Sequence, residues 1–211
     1  MKKILYIAAR APITGQVKTR LGRAIGSKRA ADLYRAFLQD LEAKLFKTSI
    51  EVRWYVTPGD WEDRSHLDQG DGDWTARQAR LFREAPARGE ERVVLIASDS
   101  PQIEVAVIHE AFAELAHREL VLGPVDDGGY YLIGMRGWHD VFSGVAMTSD
   151  TTMEAVLTRA RELGISAGFT DRMFDVDELG DLERLIPIAR RRPDLAHTRR
   201  ALAGLGLGVP A

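Results

Sequence analysis

No cysteine occurs among the 211 residues. Its absence excludes disulfides, thiolate metal sites and a cysteine nucleophile. Charge of one sign is also lacking, because 29 Lys and Arg stand against 31 Asp and Glu. Nothing global therefore points to nucleic acid or to an anionic membrane, and any anion must be bound by a local cluster. Long apolar runs are missing too, and none approaches the roughly 20 residues of a spanning helix. After Met1, Lys2 and Lys3 the first apolar segment is broken by Arg10, too early for a signal-peptide core. We expect a soluble, cytoplasmic protein. Histidine is sparse: His66, His109, His117, His139 and His197 form no His-x-x-x-His pair. All five are read as surface positions, with no zinc site and no catalytic triad. There is no internal repeat and no low-complexity linker. The length suits one domain over residues 1–211, able to bury a core without staples.

What is present alternates. Residues 4–9 form a short apolar strand, followed by a loop punctuated by Pro12, Gly15 and Gly22. Ser27 reads as the N-cap of a helix whose apolar stripe is Leu33, Phe37, Leu41 and Leu45, widened by Tyr34 and Leu38. Residues 50–57 alternate as a second strand, closed by Pro58 and Gly59. Residues 60–73 read as a polar surface loop and 75–83 as a charged helix. Val93, Val94, Leu95, Ile96 and Ala97 form an unbroken apolar run, the pattern of a strand buried on both faces. A helix follows with Ile103, Val107, Ala111 and Leu115 on one face. Strands over 120–122 and 130–135 flank a turn at Asp126, Asp127, Gly128 and Gly129. A helix over 150–163 capped by Gly164, a weak strand over 165–169, a helix over 179–192 that Pro187 should kink or split, and a terminal helix complete the chain. This order predicts a three-layer α/β domain with a mostly parallel sheet.

Five stretches could carry chemistry. The strand at Val93 ends on Asp99, followed by Ser100 and Pro101. A carboxylate at the end of a buried strand either caps the next turn or holds a cation, and ligands of open α/β sheets sit beyond strand ends. Gly15, Lys18 and Arg20 follow the first strand at the start of a helix, with Arg10 nearby. They are either a solvated basic face at a helix start or an anion site; cations there are disfavoured by the helix dipole and want an anion, which favours phosphate. The spacing is not that of a Walker A loop. Gln69 and Gly70 open a flexible stretch that is either a plain surface turn or a ligand contact. Asp127, Gly128, Gly129 and Tyr130 lie at the joint of two strands, where glycines allow close backbone approach or simply make a hairpin. Asp175 and Asp177 come last. Asp177 is an N-cap for the late helix, or one of the pair joins Asp99 as an oxygen ligand for Mg²⁺.

Taken in order, these segments resemble a known pattern. Pro12 to Gly15 with Val17-Lys18-Thr19-Arg20-Leu21, Gln69-Gly70-x-Gly72-Asp73, Ser98-Asp99-Ser100-Pro101, Gly123-Pro124-x-x-Asp127-Gly128-Gly129-Tyr130-Tyr131 and Asp175-Val176-Asp177-x-x-x-Asp181 are similar to a bacterial transferase family. That family lies in the nucleotide-diphospho-sugar transferase (GT-A-like) superfamily, with molybdopterin guanylyltransferase and phospholactate guanylyltransferase as relatives. The resemblance covers about residues 3–185. It implies a Rossmann-like fold with a nucleotide in the cleft at the strand ends. It implies phosphate contacts from Arg10, Gly15, Lys18 and Arg20, with Lys18, Arg20 and Asp99 catalytic. It implies base contacts from Gln69 and Gly70, and acceptor contacts from Asp127, Gly128, Gly129 and Tyr130. Asp99 and Asp177 would hold Mg²⁺ or Mn²⁺. The implied partners are a nucleoside triphosphate or nucleotide sugar and a small-molecule acceptor, with no nucleic acid and no membrane. Nucleotidyl transfer leads. Glycosyl transfer from a nucleotide-diphospho-sugar is the alternative, and a non-catalytic nucleotide-binding module is the third reading. The chain departs from the pattern in three places. Asp99-Ser100-Pro101 replaces the Asp-x-Asp usual in glycosyltransferases, which weighs against the glycosyl reading. Trp74-Thr75 replaces Leu-Gly, and Met147-Thr148-Ser149 replaces Trp-Ser-Thr.

Overall fold

The structure is a computed structural model and describes residues 2–57, 66–146 and 150–206. Pro58, Gly59, the first part of the polar loop and Met147-Thr148-Ser149 lie outside the described residues. Two compact units make up the chain. The first contains Met1–Ala9, Ile50–Ala97 and Glu104–Met173, and the second Arg10–Ser49, Ser98–Ile103 and Phe174–Ala211.

The first unit is built on a seven-stranded sheet. Its strands are β1 (Lys3–Ala9), β2 (Glu51–Val56), β3 (His66–Asp68), β4 (Arg92–Ala97), β5 (Leu120–Pro124), β6 (Tyr130–Arg136) and β7 (Ala167–Phe169). Their order is β3-β2-β1-β4-β6-β5-β7. All pairings are parallel except those of β6, which runs against both β4 and β5. The sheet is therefore mostly parallel and mixed, as expected. Central β4 shows why its sequence does not alternate: Arg92 to Ile96 are all buried, because both faces are covered. On one face Tyr6, Leu95, Leu122 and Met135 pack with Leu81 and Phe82 and with Val156 and Ala160. Leu81 and Phe82 come from α3 (Trp74–Glu84), and Val156 and Ala160 from α5 (Thr152–Glu162). On the other face Gly134 lies so close to Val94, Val121 and Leu115 that a Cβ there would approach Val121 to 2.6 Å. Leu115 follows α4 (Val105–Glu114), whose buried side is Ile108, Ala111 and Phe112. This unit has three layers.

Two features differ from expectation here. The polar loop hides β3, a three-residue edge strand paired with β2 from Trp54↔His66 to Val56↔Asp68. Strands this short carry no readable period. The stripe predicted on α4 also shifts, because Ile103 precedes the helix.

The second unit is helical. It holds α1 (Thr19–Ile25), α2 (Ser27–Leu45), α6 (Leu179–Arg191) and α7 (Ala196–Gly204). The α2 stripe of Leu33, Tyr34, Phe37, Leu38, Leu41 and Leu45 is buried as read. Ser27 is not the cap. It is the first helical residue, and Gly26 takes the cap position with φ 94°, a conformation costly for any other residue. Pro187 does not split α6, which runs unbroken past it. Burial of Leu182, Leu185 and Ala189 offsets a penalty of about 3 kcal/mol for an interior proline. Asp40, on the apolar side of α2, is buried and accepts hydrogen bonds from the His197 and Thr198 backbone N–H groups at 2.9 and 2.8 Å. It caps the start of α7 from a distance in sequence. Among the described residues no helix is long and apolar enough to cross a membrane.

Candidate functional site

The chain leaves β1 at Ala9 and β4 at Ala97, and these strands are parallel neighbours, with Ala8 paired to Ala97. The loops that follow carry Lys18 and Asp99 and belong to the second unit. A third segment joins them there. The Val176 N–H donates to the Asp99 carbonyl at 3.0 Å. The Gln102 amide donates to the Phe174 carbonyl at 2.6 Å, and the Ser100 hydroxyl to the Asp175 carboxylate at 2.6 Å. Residues 98–103 and 174–177 are thus zipped together, and Asp177 comes beside Asp99.

Lys18 connects the two acids. Its Nζ lies 2.5 Å from Asp99 Oδ1 and 2.8 Å from Asp177 Oδ1. The Lys18 side chain is only 4% exposed, whereas those of Asp99 and Asp177 are 39% and 47% exposed. Burial alone would lower the lysine, but the carboxylates outweigh it and hold the ammonium above its ordinary range. The Tyr34 ring lies 5.9 Å from Nζ. Its hydroxyl pairs with Ser98 Oγ at 2.8 Å and accepts from the Arg10 N–H at 3.2 Å. Burial, reinforced by the Asp99 charge, pushes that hydroxyl up to about 12, so it stays a neutral hydrogen-bonding group. Asp175 is pushed up to about 6, first by burial and then by Asp99, against the lowering bond from Ser100. Lys18 itself is the N-cap of α1 and sits at φ 48°, the one non-glycine residue with positive φ among those described.

Other predicted residues take plainer positions. In the second unit, the Arg10 side chain and Gly15 are exposed, and a Cβ at Gly15 would meet open space. Arg20 is exposed and stands 3.7 Å from Glu178. Asp177 is not the N-cap of α6. Glu178 takes that place in a capping box with Asp181, and Asp181 also accepts from the Asp177 N–H at 3.0 Å. In the first unit, Gln69 is buried. Its amide donates to the Tyr55 carbonyl at 2.8 Å and accepts from Arg77 at 3.2 Å. Gly70 has φ 65° and packs under the Arg80 guanidinium. Asp127 accepts from the Gly129 N–H at 3.1 Å, closing the turn. At Gly128 a Cβ would overlap the Asp150 carbonyl oxygen. Tyr130 donates to Gln78 at 3.0 Å. Sequence reasoning missed Tyr34 and Ser98 as parts of the site. Tyr34 falls on the helical stripe and reads as core, and only its hydroxyl signals a partner.

Whether these residues fit a divalent metal is a question of donors. Mg²⁺ takes oxygen ligands, commonly one or two carboxylates completed by phosphate and water. Asp99 and Asp177 present two carboxylate oxygens that converge on a single cation and remain partly open. The donor set fits Mg²⁺ or Mn²⁺. Among the described residues no group of three or more His, Asp or Glu side chains is placed to hold a metal ion, so the protein's share of the ligands is this pair of carboxylates.

The sequence model of a family described as "Uncharacterized protein conserved in bacteria (DUF2064)" matches residues 24–149. No curated protein matches the chain. A solved structure from Desulfovibrio desulfuricans G20, named as a candidate nucleotide-diphospho-sugar transferase, is 28% identical, with a TM-score of 0.88 over 98% of both chains. A cytidylyltransferase from Leptospira borgpetersenii is 12% identical, with a TM-score of 0.58 over 99% of this chain and 97% of its own. The 2-C-methyl-D-erythritol 4-phosphate cytidylyltransferase of Thermus thermophilus is 16% identical, with a TM-score of 0.53 over 90% of this chain and 100% of its own. The fold is that of the nucleotide-diphospho-sugar transferases.

Proposed function

The chain belongs to the family described as "Uncharacterized protein conserved in bacteria (DUF2064)", and we propose that it is a metal-dependent transferase acting on a nucleotide, most simply by nucleotidyl transfer. The observation that carries this reading is the convergence of Asp99 and Asp177 on one cation. Support also comes from the fold shared with cytidylyltransferases, one of which is named for a small phosphorylated acceptor.

In this reading an acceptor phosphate or hydroxyl attacks the α-phosphorus of a nucleoside triphosphate. The bond from the α-phosphorus to the oxygen bridging it to the β-phosphate breaks, and pyrophosphate leaves. Asp99 and Asp177 would hold Mg²⁺ or Mn²⁺, which would supply positive charge against the phosphate oxygens. Arg20, Arg10 and Lys18 bind and orient the phosphates, and Gly15 lets the loop backbone approach them. Gln69 and Gly70 are assigned to the base, and Asp127, Gly128, Gly129 and Tyr130 to the acceptor, by their motif positions. Catalysis is then mostly positioning and electrostatics.

Glycosyl transfer is the second reading, favoured by the name of the Desulfovibrio relative. Products separate the two. The protein is incubated with Mg²⁺, an acceptor panel, and either nucleoside triphosphates or nucleotide-diphospho-sugars. Pyrophosphate from a triphosphate supports nucleotidyl transfer, and free nucleoside diphosphate from a sugar nucleotide supports glycosyl transfer. A thermal-shift screen runs beside it, where a ligand at a hundred times its Kd adds about 2.7 kcal/mol. Absence of any nucleotide-dependent shift overturns both.

A further inference from the structure

We propose that Lys18 is a resident counter-cation that competes with the divalent metal for Asp99 and Asp177, so that metal enters only as the Lys18 ammonium leaves. The inference rests on the metal reading above and adds to it a built-in competitor.

Four observations carry it. First, the same ammonium contacts both carboxylates at ion-pair distance, so it stands where a shared cation would stand. A dication and an ammonium repel each other, so holding both on the same pair of carboxylates is strongly disfavoured. Second, the Lys18 side chain is almost fully enclosed while its partners are partly exposed. The opening lies on the carboxylate side, where an ion arrives from solvent. Third, the backbone of Lys18 is left-handed, a conformation held at a cost by its surroundings. The two ion pairs are the visible compensation, and they vanish when a metal takes the acids. Fourth, the charges do not balance. Asp99 and Asp177 share one lysine, so two carboxylates meet a single positive charge. Arg20 is exposed and pairs with Glu178. A single ammonium covers part of this negative charge, and a dication covers more.

The physical consequence is a lowered apparent metal affinity in the resting protein. A state binding metal only when Lys18 is out is a minor state, and its rarity multiplies the apparent Kd. Neutralising Lys18 removes that factor.

Two measurements on the full chain test this, both without nucleotide or turnover. Mn²⁺ alone is titrated and its binding followed by electron paramagnetic resonance, for the wild type and for Lys18→Met. Because minor states commonly hold a tenth of the population or less, Lys18→Met should bind Mn²⁺ about tenfold tighter or more. Equal or weaker binding by a folded Lys18→Met overturns the competitor role while leaving the metal reading intact. The second measurement needs no variant. Wild-type lysines are labelled with an amine-acylating reagent, with and without saturating Mn²⁺, and read by mass spectrometry. Lys18 should be protected without metal and become labelled with it. Continued protection while Mn²⁺ is bound overturns the proposal. Absence of Mn²⁺ binding to either protein overturns this inference and the metal reading together.

Discussion

Lys44 offers a sharp test of how the loop carrying Asp99 is held. Its side chain is 7% exposed. Its Nζ donates to the Pro101 carbonyl at 2.5 Å and lies 3.4 Å from Asp194. Lys44 therefore ties α2 to the segment that begins at Ser98. Burial pulls its ammonium down from 10.5 to about 8, and Asp194 and Asp40 recover only part of the loss while Arg192 opposes them. At 1.36 kcal/mol per pH unit, that drop is worth roughly 3 kcal/mol. The sign follows from proton counts. Between about pH 8 and 10.5 the unfolded lysine keeps its proton and the folded one has released it, so unfolding takes up a proton and stability rises with pH. Below pH 8 both states are charged and the full penalty is present. Lys44→Met keeps the chain and removes the charge. We expect urea unfolding at pH 7 and pH 10 to give a wild-type minus variant difference that shifts in favour of the wild type by roughly 2–3 kcal/mol as pH rises. Hydrogen bonds lost in the variant are common to both pH values and cancel in that comparison. A difference that stays constant across pH would falsify the assignment of a depressed, buried Lys44.

Three further outcomes are expected. Asp99→Asn should cost about 1 kcal/mol of stability, because the carboxylate is partly exposed and Lys18 keeps Asp177, yet should cost about a hundredfold or more in metal-dependent turnover. Unchanged turnover in a product assay removes Asp99 from the site. Gly128→Ala should destabilise by about 3 kcal/mol or more, since the residue sits at φ 87° and a Cβ would overlap the Asp150 carbonyl oxygen; a melting temperature equal to the wild type refutes that geometry. Asp40→Ala should cost about 2 kcal/mol or more by leaving two buried N–H groups at the start of α7 uncapped, and hydrogen exchange at His197 and Thr198 should accelerate; if it does not, α7 is held by packing alone.

Much of the sheet is legible before any coordinates, because a strand covered on both faces needs an unbroken apolar run and Val93 to Ala97 provides one. Helix α2 is legible for the complementary reason, a stripe at helical spacing with one buried side. Legibility fails where a residue's partner is distant. Gln69 reads as part of a surface turn, but Tyr55 and Arg77 hold its amide inside. Glu178 caps α6 in place of Asp177 because Asp181 reaches back to both backbone N–H groups, and three neighbouring acids look alike in sequence. Ser27 fails as a cap because Gly26 supplies a turn that no capping rule for side chains anticipates. Pro187 reads as a break, yet burial on both sides of it keeps the helix whole.

Lys18 shows the limit most clearly. A cation at the start of a helix is electrostatically misplaced, and that argument correctly demands an anion. It does not say whose. Read along the chain, Lys18 belongs to the phosphate loop and Asp99 and Asp177 to a metal pair, as if the three were independent contacts for a ligand. In the folded chain the anions are the protein's own, because Lys18 already pairs with Asp99 and Asp177. The three motifs are therefore one electrostatic unit. Mutating any member changes the charge felt by the other two, so their effects on metal binding should be strongly non-additive. A double variant, Lys18→Met with Asp177→Asn, keeps Asp99 as the remaining carboxylate and removes the competitor. If Lys18 acts only through the acids, the gain in Mn²⁺ affinity from Lys18→Met shrinks when Asp177 is absent. If the gain is the same in both backgrounds, the three residues are separate after all.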